Sequence, residues 1–196
     1  MFDPQAFRDA LGSFVTGVTI VTARDEAGRP YGLTANSFNS VSLDPPMVLW
    51  SLSQRSGSLP VFRDADNWAV HVLAADQQAM SDRFARPGDG KFAGVEDVDG
   101  PEGAPLLAGY AARFGCRARF EYEGGDHAIF LGEVVDFDRR EADPLIYHGG
   151  RYGRVMRAPT GEDLEREGLA ERAGTGLSLT ASGADLLAAL EAVAKR

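Results

Sequence analysis

Apolar and polar positions alternate with a period of two along most of this chain, the spacing that turns one face of a β-strand toward a core and the other toward solvent. The clearest run is residues 112–123, where Phe114, Cys116, Ala118, Phe120 and Tyr122 fall on one side. Residues 67–73 (NWAVHVL) repeat the pattern, with Trp68, Val70 and Val72 alternating against Ala69 and His71. Residues 13–23 (SFVTGVTIVTA) are rich in β-branched side chains and residues 47–52 (MVLWSL) are largely apolar, so both read as strands. Residues 25–30 (DEAGRP) form a turn by composition. Residues 31–42 resume the extended pattern and end at Asp44-Pro45-Pro46, where two prolines force the chain out of any helix. Gly124-Gly125-Asp126 turns the chain into a returning strand at 127–138, and residues 145–148 make a last short strand before Gly149-Gly150.

A helical period shows in fewer places. Asp3 and Pro4 suit the N-cap and first position of a short helix with Phe7, Ala10 and Leu11 on one face. Asp76 is placed to cap a helix that runs through Phe84. Residues 86–105 hold much Gly, Pro and Asp and read as a long surface loop, a kind that is usually functional or mobile. Many strands, few helices and one long loop predict an antiparallel β-barrel rather than alternating β/α units. After residue 158 the character changes. Thr160 and Asp163 fit a capping box, a short helix stops at Gly168, residues 177–179 suit a strand, and Thr180 caps a last helix. In that helix Leu186, Leu187, Leu190, Val193 and Ala194 share a face. No internal repeat or low-complexity run is present.

Composition narrows the function classes. The 196 residues suit one domain plus an appendage, and 44% hydrophobic with 25% charged residues is ordinary for a globular chain. A net charge of −9 disfavours a general nucleic-acid binder, whose affinity rests on neutralising phosphates. Cys116 is the single cysteine, so no internal disulfide and no Cys-rich zinc site is expected. Residues 1–11 lack the apolar stretch of a signal peptide, and no window reaches the roughly 18 consecutive apolar residues of a membrane span. The expectation is a reduced, cytoplasmic protein with no membrane partner.

Several chemistries lack their signature. No G-x-G-x-x-G follows a strand, and Gly88-Asp89-Gly90-Lys91 lacks the spacing of a phosphate loop, with Phe92 where a hydroxyl would hold magnesium. His71, His127 and His148 have no metal-ligand spacing, and no G-x-S-x-G elbow occurs. What is present is a stretch dense in hydroxyls and amides, residues 34–42, followed by Ser51, Ser53, Arg55, Ser56 and Ser58. Two neighbouring clusters of this type suit a phosphate plus a planar, hydrogen-bonding ring edge. By composition alone the plainer reading, ordinary turns, is preferred.

Residues 12–23 (GSFVTGVTIVTA), 32–46 (GLTANSFNSVSLDPP) and 47–53 together resemble the flavin reductase family. These are the short-chain NAD(P)H:flavin oxidoreductases that serve as reductase components of two-component monooxygenases. The similarity continues in order through 68–73, 80–85 (MSDRFA), Gly125-Asp126-His127 and 147–152 (YHGGRY). The resemblance implies a mainly β fold, an FMN-binding split β-barrel over residues 1–158 with a few short helices, and a small helical extension over 159–196. It implies FMN or FAD as flavin, NADH or NADPH as hydride donor, a homodimer with flavin near the subunit interface, and a separate monooxygenase that receives the reduced flavin. The missing dinucleotide motif then has a reason, since members of this family hold the nicotinamide nucleotide folded over the flavin.

Carried over residue by residue, the resemblance places Thr34, Ala35, Asn36 and Ser37 along the polar edge and ribityl chain of the flavin. Ser51, Leu52, Ser53 and Ser56 match a second flavin segment near the phosphate, where Arg55, Arg83 or Lys91 could supply positive charge. Arginine suits a bidentate phosphate contact and lysine a point charge. Phe84 packs beside the flavin or is plain core. His127 falls where the family meets the nicotinamide, with a solvent-facing turn histidine as the other reading. Tyr152 either closes the nicotinamide side or is a rim or interface aromatic. His71 and His148 read as structural, and Cys116 as a small buried side chain rather than a redox thiol.

The tail, at 164–172 and 177–183, is similar to the wing and final helix of MarR-type winged-helix regulators but too short for a full recognition helix. Residues 159–196 carry seven acids and four bases, which argues against DNA binding. The extension is expected either to pack on the barrel or across a dimer, or to be a frayed appendage. A non-catalytic flavin-binding module on the same barrel is the alternative function, and Gly125-Asp126-His127 with Tyr152 favours the enzyme.

Overall fold

Thr19, Ile20, Val21 and Thr22 favour extended backbone because two heavy atoms on each Cβ crowd a helical turn, and all four are buried. The computed structural model of the chain describes residues 2–88, 90–95, 97–100, 103–155, 160–173 and 176–194. Its first unit, Met1–Val155, runs α1 (Pro4–Gly12), β1 (Thr16–Gly17), β2 (Thr19–Arg24), β3 (Pro30–Ala35), β4 (Asn39–Leu43) and β5 (Pro46–Ser53). It continues through α2 (Leu59–Asp64), β6 (Asn67–Leu73), α3 (Gln78–Ala85), β7 (Asp97–Asp99) and β8 (Pro105–Leu107). It closes with β9 (Tyr110–Gly124), β10 (His127–Arg139), β11 (Leu145–His148) and β12 (Arg151–Arg154).

The expected single strand over residues 13–23 is two strands serving different sheets. β2 enters a seven-stranded sheet of order β3-β2-β6-β9-β10-β5-β4, and β1 a three-stranded sheet of order β1-β11-β12. The pairings within both sheets are antiparallel, and mainly β architecture is what the alternation predicts. The large sheet curls until the chain after β3 reaches β5. There Ser37 Oγ donates to Ser51 O at 3.1 Å and accepts from Ser51 N at 2.9 Å. The edge strands of this sheet, β3 and β4, are joined by residues 36–38 but are not paired by a ladder among the described residues, so the barrel is not closed.

Inside the curl, Trp50 stacks on Phe130 at 4.8 Å and meets Phe62 and Trp68 edge-on at 4.9 and 5.9 Å. Gly132 makes room for this cluster, because a Cβ there would lie 2.5 Å from Trp68 Cζ2. A second cluster joins Val18, Ile20, Leu73, Phe84, Leu107 and Leu145, with Tyr147 and Tyr152 packed against it.

Three local expectations change. The alternation in β6 suggests one buried face, yet Trp68, Ala69, Val70 and His71 are all buried. The reason is the segment expected to be a surface loop. It contains β7 and leads into β8, a hairpin whose Ala104 and Leu106 pack on Ala69 while Leu107 N donates to His71 Nε2 at 3.1 Å. Asp76 does not cap α3. The helix starts after Gln77 with no side-chain cap, and Gln77 Oε1 instead accepts from Ala74 N at 2.8 Å. Helix α2 and strand β12 were not foreseen. They follow the serine-rich stretch and Gly149-Gly150, which read only as turns.

The second compact unit, Met156–Arg196, contains α4 (Gly161–Arg166), the hairpin of β13 (Ala170–Ala173) and β14 (Gly176–Leu179), and α5 (Ala181–Ala194). The capping box is present: Asp163 N donates to Thr160 Oγ1 at 3.1 Å and Thr160 N to Asp163 Oδ2 at 2.9 Å. Gly168 ends the turn after α4 at φ +70°, and Thr180 Oγ1 accepts from Gly183 N at 3.2 Å to open α5. The boundary at residue 158 and the side chains of Leu186, Leu190, Val193 and Ala194 lie outside the described residues.

Candidate functional site

Three segments bring the expected ring-holding residues together, and the hydroxyls divide by what they have left to give. Thr34 Oγ1 donates to Ser81 O at 2.7 Å, and both bonds of Ser37 Oγ go to Ser51. The protons of these two hydroxyls are therefore engaged within the fold. Ser53 and Ser56 differ. Ser53 Oγ accepts from Arg55 N and Ser56 Oγ from Ser58 N, each at 3.3 Å, so each keeps a proton to donate outward. Ser51 and Ser53 lie on the half-buried face of β5, whereas Leu52 points into the core. Leu52 can meet a ligand only through its backbone. Asn36 is exposed, and Ala35 O accepts from Thr19 Oγ1 at 2.7 Å, which pins the end of β3 to β2.

The three cations also separate. Arg83 Nη2 donates to Ala93 O and Gly90 O. Lys91 Nζ donates to Gly32 O at 3.1 Å and Phe84 O at 2.9 Å, and burial pulls its pKa below the ordinary lysine value. Arg55 is exposed between Ser53 and Ser56 in the chain; its main-chain N donates to Ser53 Oγ, while its guanidinium lies near enough to Asp126 for its charge to help lower that carboxyl's pKa. An exposed guanidinium, two outward hydroxyls and an exposed amide form a donor set that fits a phosphate and a polar ring edge.

His127 opens β10 directly across from Ser53 of β5, so strand register brings it to the second of the two expected flavin segments. Its Nδ1 lies 2.7 Å from Asp126 Oδ1. A carboxylate only accepts, so Nδ1 carries the proton and donates to Asp126, which leaves Nε2 as the nitrogen available to a ligand. The same bond from His127 holds the Asp126 carboxyl below the usual carboxylate range. Gln54 N donates to Asp126 O at 2.9 Å, fastening this turn to the end of β5.

Phe84 is fully buried, edge-on to Phe92 at 5.1 Å, and belongs to the second core cluster. Tyr152 in β12 is half-buried, edge-on to Tyr147 at 5.4 Å, and reaches α3 with its hydroxyl. The structure thus draws Thr34–Ser37, Ser51–Ser56 and His127 into one neighbourhood. Arg83, Phe84, Lys91 and Tyr152 gather around α3, joined to the first group through β3. Sequence reasoning passed over Thr19, Gly32, Ser81 and Asp82. Ser81 and Asp82 stand inside the MSDRFA segment, but nothing local marks a helical serine as buried.

The remaining candidates are structural. His71 is buried; Nε2 accepts from Leu107 N, so Nδ1 carries the proton and donates to Ile20 O at 3.2 Å. Burial pulls its pKa down to about 4. Burial pushes the Cys116 thiol up to about 12, which keeps it unreactive. No group of three His, Cys, Asp or Glu side chains able to hold a metal occurs among the described residues. A cleft of about 570 Å³ opens at the opposite end of β2, between Arg24–Arg29 and α2, and its lining contains none of the candidate site residues.

Comparison with known proteins identifies the family. The profile of the family described as "Flavin reductase like domain" matches residues 11–156. The chain is 47% identical over 156 residues to the FMN reductase (NADH) SmoA of Agrobacterium fabrum, covering 78% of this chain and 87% of that protein. It is 43% identical over 153 residues to the reductase component of the flavin-dependent trigonelline monooxygenase of Acinetobacter baylyi, covering 78% of this chain but 49% of that protein. Among solved structures, an NADH:FAD oxidoreductase of Streptomyces globisporus in complex with NAD and FAD fragments superposes with a TM-score of 0.74. That match has 40% identity and covers 80% of this chain and 96% of the other.

Proposed function

The chain belongs to the flavin reductase like domain family, and on that premise we propose that it is an NADH-dependent flavin reductase that supplies reduced FMN or FAD to a separate monooxygenase. The observation that carries this reading is the register of β5 and β10, which puts His127 across from Ser53 while Ser51 is latched to Ser37. Residues expected to meet two different rings thus border one site.

Bound flavin supplies a hydride acceptor, N5, for the hydride at C4 of reduced nicotinamide. The protein's part is orientation, since holding two reactants in line removes much of the entropic barrier. Asn36 and the main chain of Thr34, Ala35, Ser37 and Leu52 hold the polar edge of the ring. Ser53, Ser56 and Arg55 hold the phosphate, and Ser51 keeps the two flavin segments together. His127 Nε2 hydrogen-bonds the nicotinamide carboxamide, with its tautomer set by Asp126. Tyr152 walls the nicotinamide side, while Arg83, Phe84 and Lys91 fasten α3 and the following loop behind β3.

Residues 1–158 form the reductase domain in this reading, with 159–196 an extension of separate role. A homodimer accompanies it, because α1 buries none of its side chains within the chain and Phe7, Leu11, Phe14 and Val15 are exposed. We place the protein in the cytoplasm, where NADH is available. No described helix is long and apolar enough to cross a membrane.

Mixing the purified protein with NADH and FMN, then FAD, and following the nicotinamide absorbance tests the proposal. Flavin-dependent loss of that absorbance is the expected result. Flavin binding with no oxidation of NADH or NADPH would reduce the protein to a flavin-binding module.

A further inference from the structure

Ser81 is fully buried in α3 and touches both proposed ring segments. Its main-chain carbonyl accepts Thr34 Oγ1 at 2.7 Å, and its hydroxyl lies 2.9 Å from the Tyr152 hydroxyl. Tyr152 donates onward to Asp82 Oδ1 at 3.0 Å. Because the carboxylate can only accept, the phenol proton points to Asp82, and the Ser81 hydroxyl donates to the phenol oxygen. Burial raises the phenol pKa, which keeps that proton in place. A buried hydroxyl without a partner is costly, so this arrangement has one low-energy form. It ties the end of β3 to β12 through adjacent residues of one helix.

We propose that Ser81 is a positioning residue of the reductase reaction, holding the Thr34 end of the flavin segment and the Tyr152 wall of the nicotinamide side at one spacing. The inference rests on the reductase reading above. Its consequence is specific to the nicotinamide: Ser81→Ala removes the hydroxyl that steadies Tyr152 but keeps the carbonyl that holds Thr34. Tyr152→Phe removes the same bond from its other end, together with the bond to Asp82.

The test uses the full-length protein. Ser81→Ala is expected to raise KM for NADH about fivefold, the equivalent of one net hydrogen bond, with kcat and flavin Kd within about twofold of wild type. NAD+ affinity by titration calorimetry falls by the same factor, and the long-wavelength charge-transfer absorbance of the nicotinamide–flavin complex weakens. Tyr152→Phe shifts KM in the same direction and at least as far, since it also removes the bond to Asp82, and the double variant is no worse than Tyr152→Phe alone, because the bond that Ser81→Ala removes is already gone. Unchanged NADH and NAD+ binding in both variants would overturn the proposal. So would additive losses in the double variant, or a parallel fall in kcat, flavin affinity and thermal stability. A wild-type protein that binds flavin yet oxidises no NADH would sink the reductase reading itself, an outcome distinct from active wild type with indifferent variants.

Discussion

Phe84 of α3 lies over Gly32 of β3 so closely that a Cβ on Gly32 would stand 2.6 Å from Phe84 Cε1 and 3.2 Å from Phe92 Cζ. The absent side chain lets the helix lie against the strand that leads into the proposed flavin segment, and Lys91 seals the contact by donating to the carbonyls of both residues. Gly32→Ala is expected to destabilise the fold by roughly 1–3 kcal/mol, the usual cost of overpacking a filled core. Urea unfolding checks this, and an unchanged midpoint would show that Phe84 moves aside freely.

Arg55 and Lys91 should separate cleanly. Arg55→Ala is expected to weaken flavin binding about tenfold or more, because a charge-assisted hydrogen bond contributes roughly 1.5–3 kcal/mol, and to flatten the salt dependence of flavin Kd. Lys91→Ala leaves two partly buried carbonyls without their donor and is expected to lower the unfolding midpoint first. Fluorescence titration with FMN alongside thermal unfolding would tell the two apart. Equal effects on Kd would mean that the phosphate is held elsewhere.

His127→Ala is expected to raise KM for NADH about tenfold while flavin Kd changes little, since one hydrogen bond to the carboxamide is removed. Asp126→Asn should act in the same direction but more weakly, because the amide no longer dictates which ring nitrogen carries the proton. Steady-state kinetics at fixed flavin measures both. A large change in flavin affinity with KM for NADH unaltered would place His127 on the flavin instead.

His71 gives the fold a pH dependence of known sign. Its pKa falls from 6.5 to about 4 on burial. The unfolded chain therefore binds the proton more tightly, and stability rises with pH between these values. The contribution is fully present above pH 6.5, is lost as pH falls toward 4, and amounts to roughly 3 kcal/mol. Urea midpoints between pH 7.5 and 4.5 should decline for the wild type and more shallowly for His71→Gln. Parallel slopes would mean that other groups set the acid limit.

Much of the fold is legible because it is local. Strand-like patterning marks β2, β3, β5, β6, β9, β10 and β11, because each side chain's face follows from the pleat alone, whereas β7 and β8 fall at a segment that reads as a loop. The Asp3 cap, the turn at Gly124-Gly125 and the Thr160–Asp163 box depend on residues two or three apart. Asp76 shows where such reasoning fails. A carboxylate in cap position competes with Gln77, whose amide reaches Ala74 N and Ala108 O, and the second of those partners is distant in the chain.

The sequence by itself determined most of the strand pattern and the family resemblance, from which flavin and nicotinamide segments are expected. Only the tertiary structure decided which members of those segments have hydrogen-bonding capacity to spare. Thr34, Ser37, Arg83 and Lys91 look in sequence like Ser53, Ser56 and Arg55. Curling the sheet onto β5 and laying α3 across β3 engages the hydroxyls of the first pair and the cationic groups of the second in holding the chain, leaving the side-chain donors of the others uncommitted to it. A polar side chain's partner is set by three-dimensional proximity, and no spacing along the chain encodes it.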